Sequence, residues 1–118
     1  AYFIAVVDDI HGRKGAEREQ AKLLELVERS TDLIATADLE GRLTYINPAG
    51  RRLVGIAPDA DLATINFADY VPEDWRDFFR DTVTRTAREH GVWHGEMQLC
   101  HLRTGERIDV SRTTLLLR

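Results

Sequence analysis

The length, composition and charge of this chain describe one soluble globular domain. Its 118 residues are enough for a single hydrophobic core and too few for two. The chain is 43% hydrophobic and 31% charged, and its net charge of −4 comes from interspersed residues of both signs. No basic stripe of the kind that binds nucleic acid occurs, and the apolar runs are too short to span a bilayer. The one cysteine, Cys100, excludes an internal disulfide and favours a reducing compartment, so we expect a cytoplasmic protein without nucleic-acid or membrane contacts.

The chain begins with a predicted strand and a predicted helix. Residues 2–7 are β-branched and aromatic, which is typical of a strand. From Ala16 to Arg29, apolar side chains recur at spacings of three and four, which predicts a short amphipathic helix. The apolar face of this helix has two interpretations, because it can pair with a partner helix or lie on the sheet of its own domain.

A hairpin and a short helix follow. Leu33–Ala37 and Arg42–Ile46 are predicted strands that a tight turn joins. Asn47 and Pro48 predict the start of a helix, because asparagine caps the first free N–H groups and proline fits the first helical position. Gly55 predicts the end of this helix.

The second half of the chain predicts one longer helix and a second hairpin. The longer helix begins at Val71–Asp74, carries an apolar stripe and ends at Gly91. Alternation of apolar and polar residues from Trp93 to Leu99 predicts a strand with one buried face, and a last strand contains Ile108 and Val110 and extends to the end. Hairpins on both sides of a helical middle predict an α+β architecture, with an antiparallel sheet and helices on one face.

The residue pattern contains no catalytic constellation and no metal-ligand spacing. The four histidines lack arrangements such as C-x-x-C or H-x-x-x-H. Nucleophile motifs, a P-loop and a dinucleotide fingerprint are also missing from the sequence. We therefore expect no enzyme and no metal site in this chain, and nothing in the sequence requires a cofactor.

From Glu28 to Val110, the order of elements and several short motifs resemble the PAS family. Tyr45–Ala49 resembles the stretch in which the second PAS strand runs into an Asn-Pro-Ala cap. Gly91–Glu96 resembles the W-x-G-E segment that opens the third strand, and Thr104-Gly105 lies where the next tight turn falls. The resemblance implies a five-stranded antiparallel sheet in the order second, first, fifth, fourth, third, with short helices and one longer helix on one face.

The first residues resemble the end of a preceding PAS repeat, in which the last strand leads into an Asp-Ile-Thr element and a basic linker helix. The initial alanine and the uninterrupted strand pattern at the end also lead us to expect a fragment of a longer protein. The expected organisation is the last strand of the upstream repeat in residues 1–9 and an amphipathic linker helix in residues 10–30. Residues 31–118 would then be a PAS domain that lacks its own final strand.

This organisation leaves the fifth place open in the middle of the sheet, and residues 1–7 have the composition to fill it. A straight helix of about 15 residues would carry the chain roughly 22 Å away, unless the linker folds back at Gly12 or Gly15. We therefore expect a homodimer in which each chain donates this strand to the other. The residues expected at the interface are Tyr2, Ile4, Val6, Leu23, Leu24 and Val27.

The resemblance implies a sensory module of a bacterial signalling protein, such as a sensor histidine kinase of a two-component system or a diguanylate cyclase. Its partners would be neighbouring PAS and output domains. The module would sense a small ligand, or relay the state of a neighbouring domain through the linker helix. Two alternatives stay open, namely a ligand-free dimerisation module and a haem- or flavin-bearing sensor of redox state or gas. The resemblance assigns signalling roles to Asp9, Arg13, Asn47 and Glu96.

A candidate ligand pocket lies between the predicted sheet and the longer helix. The alternative is that the same side chains only fill the core. The candidate residues are Ile34, Thr36, Phe67, Phe79, Val83, Trp93, Met97 and Leu99. Residues 47–51 read Asn-Pro-Ala-Gly-Arg where flavin photoreceptors of the family carry Asn-Cys-Arg, which disfavours that chemistry.

Overall fold

A five-stranded antiparallel sheet forms one layer of the protein. The computed structural model describes residues 1–10 and 23–118. The strands are β1 (Tyr2–Asp9), β2 (Leu33–Ala37), β3 (Leu43–Ile46), β4 (Val92–Cys100) and β5 (Arg107–Leu117). They lie in the order β3-β2-β1-β5-β4, and every neighbouring pair is antiparallel. The predicted α+β class and the predicted sheet are confirmed.

The first strand, β1, lies in the middle of the sheet of its own chain. Ala5 is in register with Ala35 of β2 on one side and with Thr114 of β5 on the other. Phe3, Ala5 and Val7 are buried, because alternate residues of a strand face the same side. Residues 2–9 thus take the fifth place that the resemblance leaves open.

The route by which the chain returns from β1 to β2 includes residues outside the described part. The expected folding back at Gly12 or Gly15 lies in that stretch, and so does the predicted helix before Leu23. The described part of the linker helix is α1, Leu23–Arg29. Exchange of β1 between two chains stays a prediction.

The second helix, α2 (Pro48–Val54), begins and ends where the sequence predicts. Asn47 caps it, since its side-chain oxygen accepts a hydrogen bond from the Gly50 N–H at 3.0 Å. Gly55 ends it with a φ of 79°, a left-handed conformation that glycine adopts without strain. A Cβ atom on Gly50 would lie 2.7 Å from Leu33, so the first turn of α2 packs directly on β2.

The sequence predicts one uniform longer helix, but residues 73–90 do not form a uniform α-helix. The longer helix consists of a 3₁₀ turn (Glu73–Trp75), an α-helical turn (Arg76–Phe78), a π-helical segment (Phe79–Thr84) and a last α-helical part (Arg85–His90). A further 3₁₀ turn, Leu62–Thr64, precedes it. None of the helices in the described part of the chain is both long and apolar enough to cross a membrane.

The hydrophobic core fills the space between one face of the sheet and the longer helix. Phe67 lies at its centre, with its ring centroid 5.7 Å from that of Phe3 on β1 and 5.0 Å from that of Phe79 on the longer helix. Val83 on this helix and Val110 on β5 are both fully buried. The core thus joins the central strands to the π-helical segment.

Candidate functional site

The structure brings together most of the residues predicted to line a pocket. Five of the eight are buried in the core between the sheet and the longer helix, namely Phe67, Phe79, Val83, Met97 and Leu99. Trp93 is half-buried at the edge of this group, where its ring packs edge-on against Phe78 with centroids 5.9 Å apart. Ile34 and Thr36 do not join them, because they alternate with the buried residues of β2 and so face the other side of the sheet.

A buried arginine lies among these core side chains. Arg112 is 0% exposed and stands on the inner face of β5, two residues after the buried Val110. Its Nε donates a hydrogen bond to the hydroxyl of Thr114 at 2.9 Å. The two terminal nitrogens, Nη1 and Nη2, are buried and have no hydrogen-bond partner in the structure as described. Such groups are rare in folded proteins, because the loss of hydration is not compensated.

Aromatic rings surround the Arg112 guanidinium. Its central carbon lies 4.9 Å from the centroid of the Phe79 ring and 5.8 Å from that of Phe67. These contacts offset part of the desolvation cost, since the face of an aromatic ring attracts a cation. Burial lowers the pKa of Arg112, while the nearby Tyr70 acts in the opposite direction. Burial also raises the pKa of Tyr70 to about 12, so its hydroxyl is neutral at physiological pH.

The strand opposite Arg112 is shaped to accept a large ring. Gly95 of β4 is the register partner of Arg112. A Cβ atom at this position would lie 2.7 Å from the indole of Trp93, so glycine allows the ring to lie across its own strand. The indole therefore packs on β4 at the same level of the sheet as the buried arginine.

The sequence contained a signal for Arg112 that the prediction did not use. Ile108, Val110, Arg112 and Thr114 share one side of a continuous strand, so the parity that buries Val110 also turns Arg112 inward. The prediction considered mainly the apolar residues of this strand. Tyr70 lies between predicted elements and gave no comparable signal.

A second buried polar group, the Asn47 junction, connects three elements. Asn47 is 0% exposed. Its Oδ1 accepts hydrogen bonds from the N–H groups of Ile34 and Gly50, both at 3.0 Å. Its Nδ2 donates to the carbonyl oxygens of Val27 and Asp32, both at 2.9 Å. One side chain thus joins the end of α1, the start of β2 and the start of α2.

A second contact ties α1 to the sheet. The Tyr45 hydroxyl on β3 donates a short hydrogen bond to the Glu28 carboxylate on α1. Burial and then this hydrogen bond raise the pKa of Tyr45 to about 12, because ionisation would place a phenolate against a carboxylate.

A family model for the PAS fold matches residues 21–115. The chain belongs to the PAS family. The match confirms the resemblance drawn from the sequence, and it makes the chain a sensory or signalling module built on a non-catalytic fold. The central strand β1 lies ahead of the matched residues. No curated protein and no solved structure gives a significant match.

The described residues to which the resemblance assigns signalling roles lie in separate parts of the fold. Asn47 forms the junction described above. Asp9 is the last residue of β1. Glu96 is exposed on the outer face of β4, in register with Ser111. Arg13 lies outside the described residues. The structure does not bring Asp9, Asn47 and Glu96 into one site.

The residues expected at an interface lie on the outer face of the sheet and on α1. Ile4 and Val6 are half-buried on the face of β1 that points away from the core, and Tyr2 is 42% exposed. Val27 is half-buried on α1, and nothing is described of the Leu23 and Leu24 side chains.

Three of the four histidines lie in the described residues, and each is away from the core centre. His90 is exposed at the end of the longer helix. His94 is exposed on β4, with its Nδ1 2.8 Å from the Thr113 hydroxyl. His101 follows β4, and its Nδ1 accepts from the N–H of Thr104 at 3.2 Å. Residues 1–10 and 23–118 contain no group of three or more potential metal ligands.

The raised pKa of Tyr45 predicts a loss of stability at high pH that depends on this residue. Tyrosine ionises at about pH 10 in the unfolded chain and near pH 12 at Tyr45 in the folded one. The protonated hydroxyl therefore contributes stability that is complete below pH 10 and is lost as the pH rises toward 12.

The measurement is urea unfolding, at several pH values across this range, of the wild type and the Tyr45→Phe variant. The unfolding free energy of the wild type minus that of the variant should be constant below pH 10 and should decrease as the pH rises above 10. Tyr70 is present in both proteins and cancels. A difference that does not vary with pH would contradict the assignment.

Proposed function

We propose that this PAS domain relays a conformational state between α1 and its own core through the Asn47 junction. The observation that supports the proposal is that a single buried side chain holds α1, β2 and α2 together with four hydrogen bonds. In this arrangement α1 cannot move away from Asn47 without breaking a hydrogen bond of the same side chain that binds β2 and α2.

The hydrogen bond between Asn47 and the Val27 carbonyl is sensitive to movement of α1 because of its position on the helix. Val27 lies in the last turn of α1, where backbone carbonyls have no partner within the helix. Asn47 supplies that partner, so displacement of α1 would leave one N–H of the buried Asn47 amide and the Val27 carbonyl without a hydrogen bond. Each such group costs about 1–3 kcal/mol, which favours two discrete arrangements over a continuum.

The contact between Tyr45 and Glu28 adds a second, more exposed connection. It joins the same helix to β3, and β3 leads directly into Asn47. Rotation of α1 would therefore act on both ends of the segment from Tyr45 to Asn47. The two contacts together support a relay through the linker helix rather than a rigid spacer.

The wider setting of the relay follows from the resemblance. An upstream PAS repeat would deliver a signal to α1, and the output domain would be that of a bacterial sensor histidine kinase or diguanylate cyclase. The single cysteine supports a cytoplasmic location for such a protein.

The Asn47→Ala variant should release α1 while the sheet remains folded. Amide hydrogen exchange in residues 23–29 should accelerate about tenfold, because the helix loses one anchoring hydrogen bond and the packing that it maintains. The matched control is Asn66→Ala, since Asn66 also makes two side-chain hydrogen bonds to backbone groups, with Glu40 and Ala68, but none to α1.

The two variants must differ for the proposal to stand. Exchange in α1 should be unchanged in Asn66→Ala, and β5 should stay protected in both variants. Equal acceleration in both would mean that general destabilisation loosens α1. No acceleration in Asn47→Ala would mean that the junction does not hold the helix.

A second candidate function is self-association through the outer face of the sheet. Ile4, Val6 and Ile34 form a half-buried apolar row on that face of β1 and the neighbouring β2. Tyr2 is 42% exposed and Leu26 of α1 is 38% exposed. These residues favour a second copy of this chain as the partner, in line with the homodimer predicted from the sequence.

The Val6→Lys variant tests self-association, because it places a charge in the centre of the apolar row. Sedimentation over a range of concentrations should show the wild type as a dimer and the variant as a monomer with an unchanged circular dichroism spectrum. Leu39→Lys is the control, since Leu39 is 37% exposed in the β2–β3 turn, outside the row. A wild type that stays monomeric throughout would contradict this candidate.

A further inference from the structure

The buried charge of Arg112 is not balanced within the described protein. Tyr70 is the ionisable group near enough to affect the pKa of Arg112, and its own raised pKa keeps it neutral at physiological pH. No described Asp or Glu forms an ion pair with Arg112. A buried guanidinium without an anion is costly, and the two neighbouring rings compensate it only in part.

The free edge of the guanidinium has the geometry of a carboxylate receptor. Thr114 occupies Nε, which leaves Nη1 and Nη2 side by side without partners. Two parallel N–H groups of this kind bind the two oxygens of a carboxylate as a fork. The unpartnered atoms therefore specify the charge of a ligand and also its planar, two-oxygen shape.

The walls around this edge specify the rest of the ligand. Phe67, Phe79 and Val83 are buried apolar side chains of the same core, and both rings lie beside the guanidinium. Arg112 is the one charged residue among the buried residues described. A single cation matches a monoanion, whereas a phosphate dianion would lack a second positive partner.

We infer that Arg112 anchors a small organic monocarboxylate with an apolar body inside the core of this domain. The carboxylate binds the Nη1–Nη2 edge, and the apolar body packs beside the rings of Phe67 and Phe79, which contact each other edge to face. This inference goes beyond the relay through Asn47 and does not depend on it.

Access to the site is through the π-helical segment. Phe79 begins this segment and covers the guanidinium, so the ligand reaches Arg112 when the segment moves. A π-helical segment has i→i+5 backbone hydrogen bonds, and such segments are rare but are frequently found at functional sites. The longer helix is thus least regular where it covers the arginine.

The test is a nuclear magnetic resonance titration of the whole chain that follows the Arg112 Nε–Hε signal and the backbone amides of residues 79–84. The probes are sodium butyrate and sodium benzoate. Butyramide and benzamide have the same shape without the charge, and inorganic phosphate supplies an anion without an apolar body. The variants are Arg112→Met, which keeps the side-chain length without the charge, and Arg103→Met, in the exposed turn after β4.

At least one carboxylate should cause saturable shifts of both sets of signals, while its amide and phosphate should not. Arg112→Met should weaken binding at least tenfold, since it removes a charged hydrogen-bonding partner, and Arg103→Met should leave binding unchanged. The Arg112→Met protein should fold at least as stably as the wild type, because a buried unpaired charge is replaced by an apolar group.

Several outcomes would overturn the inference. These are the absence of saturable shifts with either carboxylate, equal binding of the amides, stronger binding of phosphate, or unchanged binding to Arg112→Met. If Arg112→Met fails to fold, the wild-type Arg112 Nε–Hε signal still decides, because only direct contact shifts it with the carboxylate and not with the amide. The Asn47 junction is intact in all these proteins, so failure here leaves the proposed relay standing.

Discussion

The structure depends on β1, the first strand of the sequence, which fills the middle of the sheet. β1 is hydrogen-bonded on both sides, to β2 and to β5. Without it, both neighbours would present unpaired inner edges, which promote aggregation. Its register also fixes the two faces, because a shift of one residue would move Phe3, Ala5 and Val7 out of the core. The five-stranded sheet is therefore continuous only with this strand in place.

The same strand lies between the two buried polar groups. On one side, Ala5 is in register with Thr114, which is the hydrogen-bond partner of Arg112. On the other side, the next residue, Val6, is in register with Ile34, and the Ile34 N–H donates a hydrogen bond to Asn47. A ligand at the arginine and a displacement at α1 would therefore act on adjacent positions of one strand. Sheets transmit such shifts well because close packing leaves little room for independent relaxation. The proposed ligand site in the core and the proposed relay at α1 thus have a short physical connection.

Local patterns in the sequence predicted most of the fold, and non-local contacts explain what they missed. Alternation located the strands, and Asn47 and Gly55 marked both ends of α2, because caps depend on neighbouring residues. The π-helical segment has no local signature, since its apolar stripe also fits an α-helix. The bond from Asn47 to Val27 joins residues that are 20 positions apart. The proposed role of Arg112 depends on the absence of an anionic partner among residues 1–10 and 23–118, and only a three-dimensional arrangement reveals that.

The measurement that tests the central claim most directly is site-resolved amide hydrogen exchange of β1 in the wild-type chain. If β1 fills the middle of the sheet, the amides of Ala5 and Val7 should exchange as slowly as that of Val110 in β5, because all three would open only on global unfolding. The exposed turn at residues 102–105 supplies the fast reference. Exchange of the β1 amides at the rate of that turn, while β5 stays protected, would show that the sheet forms without β1 and would contradict the account.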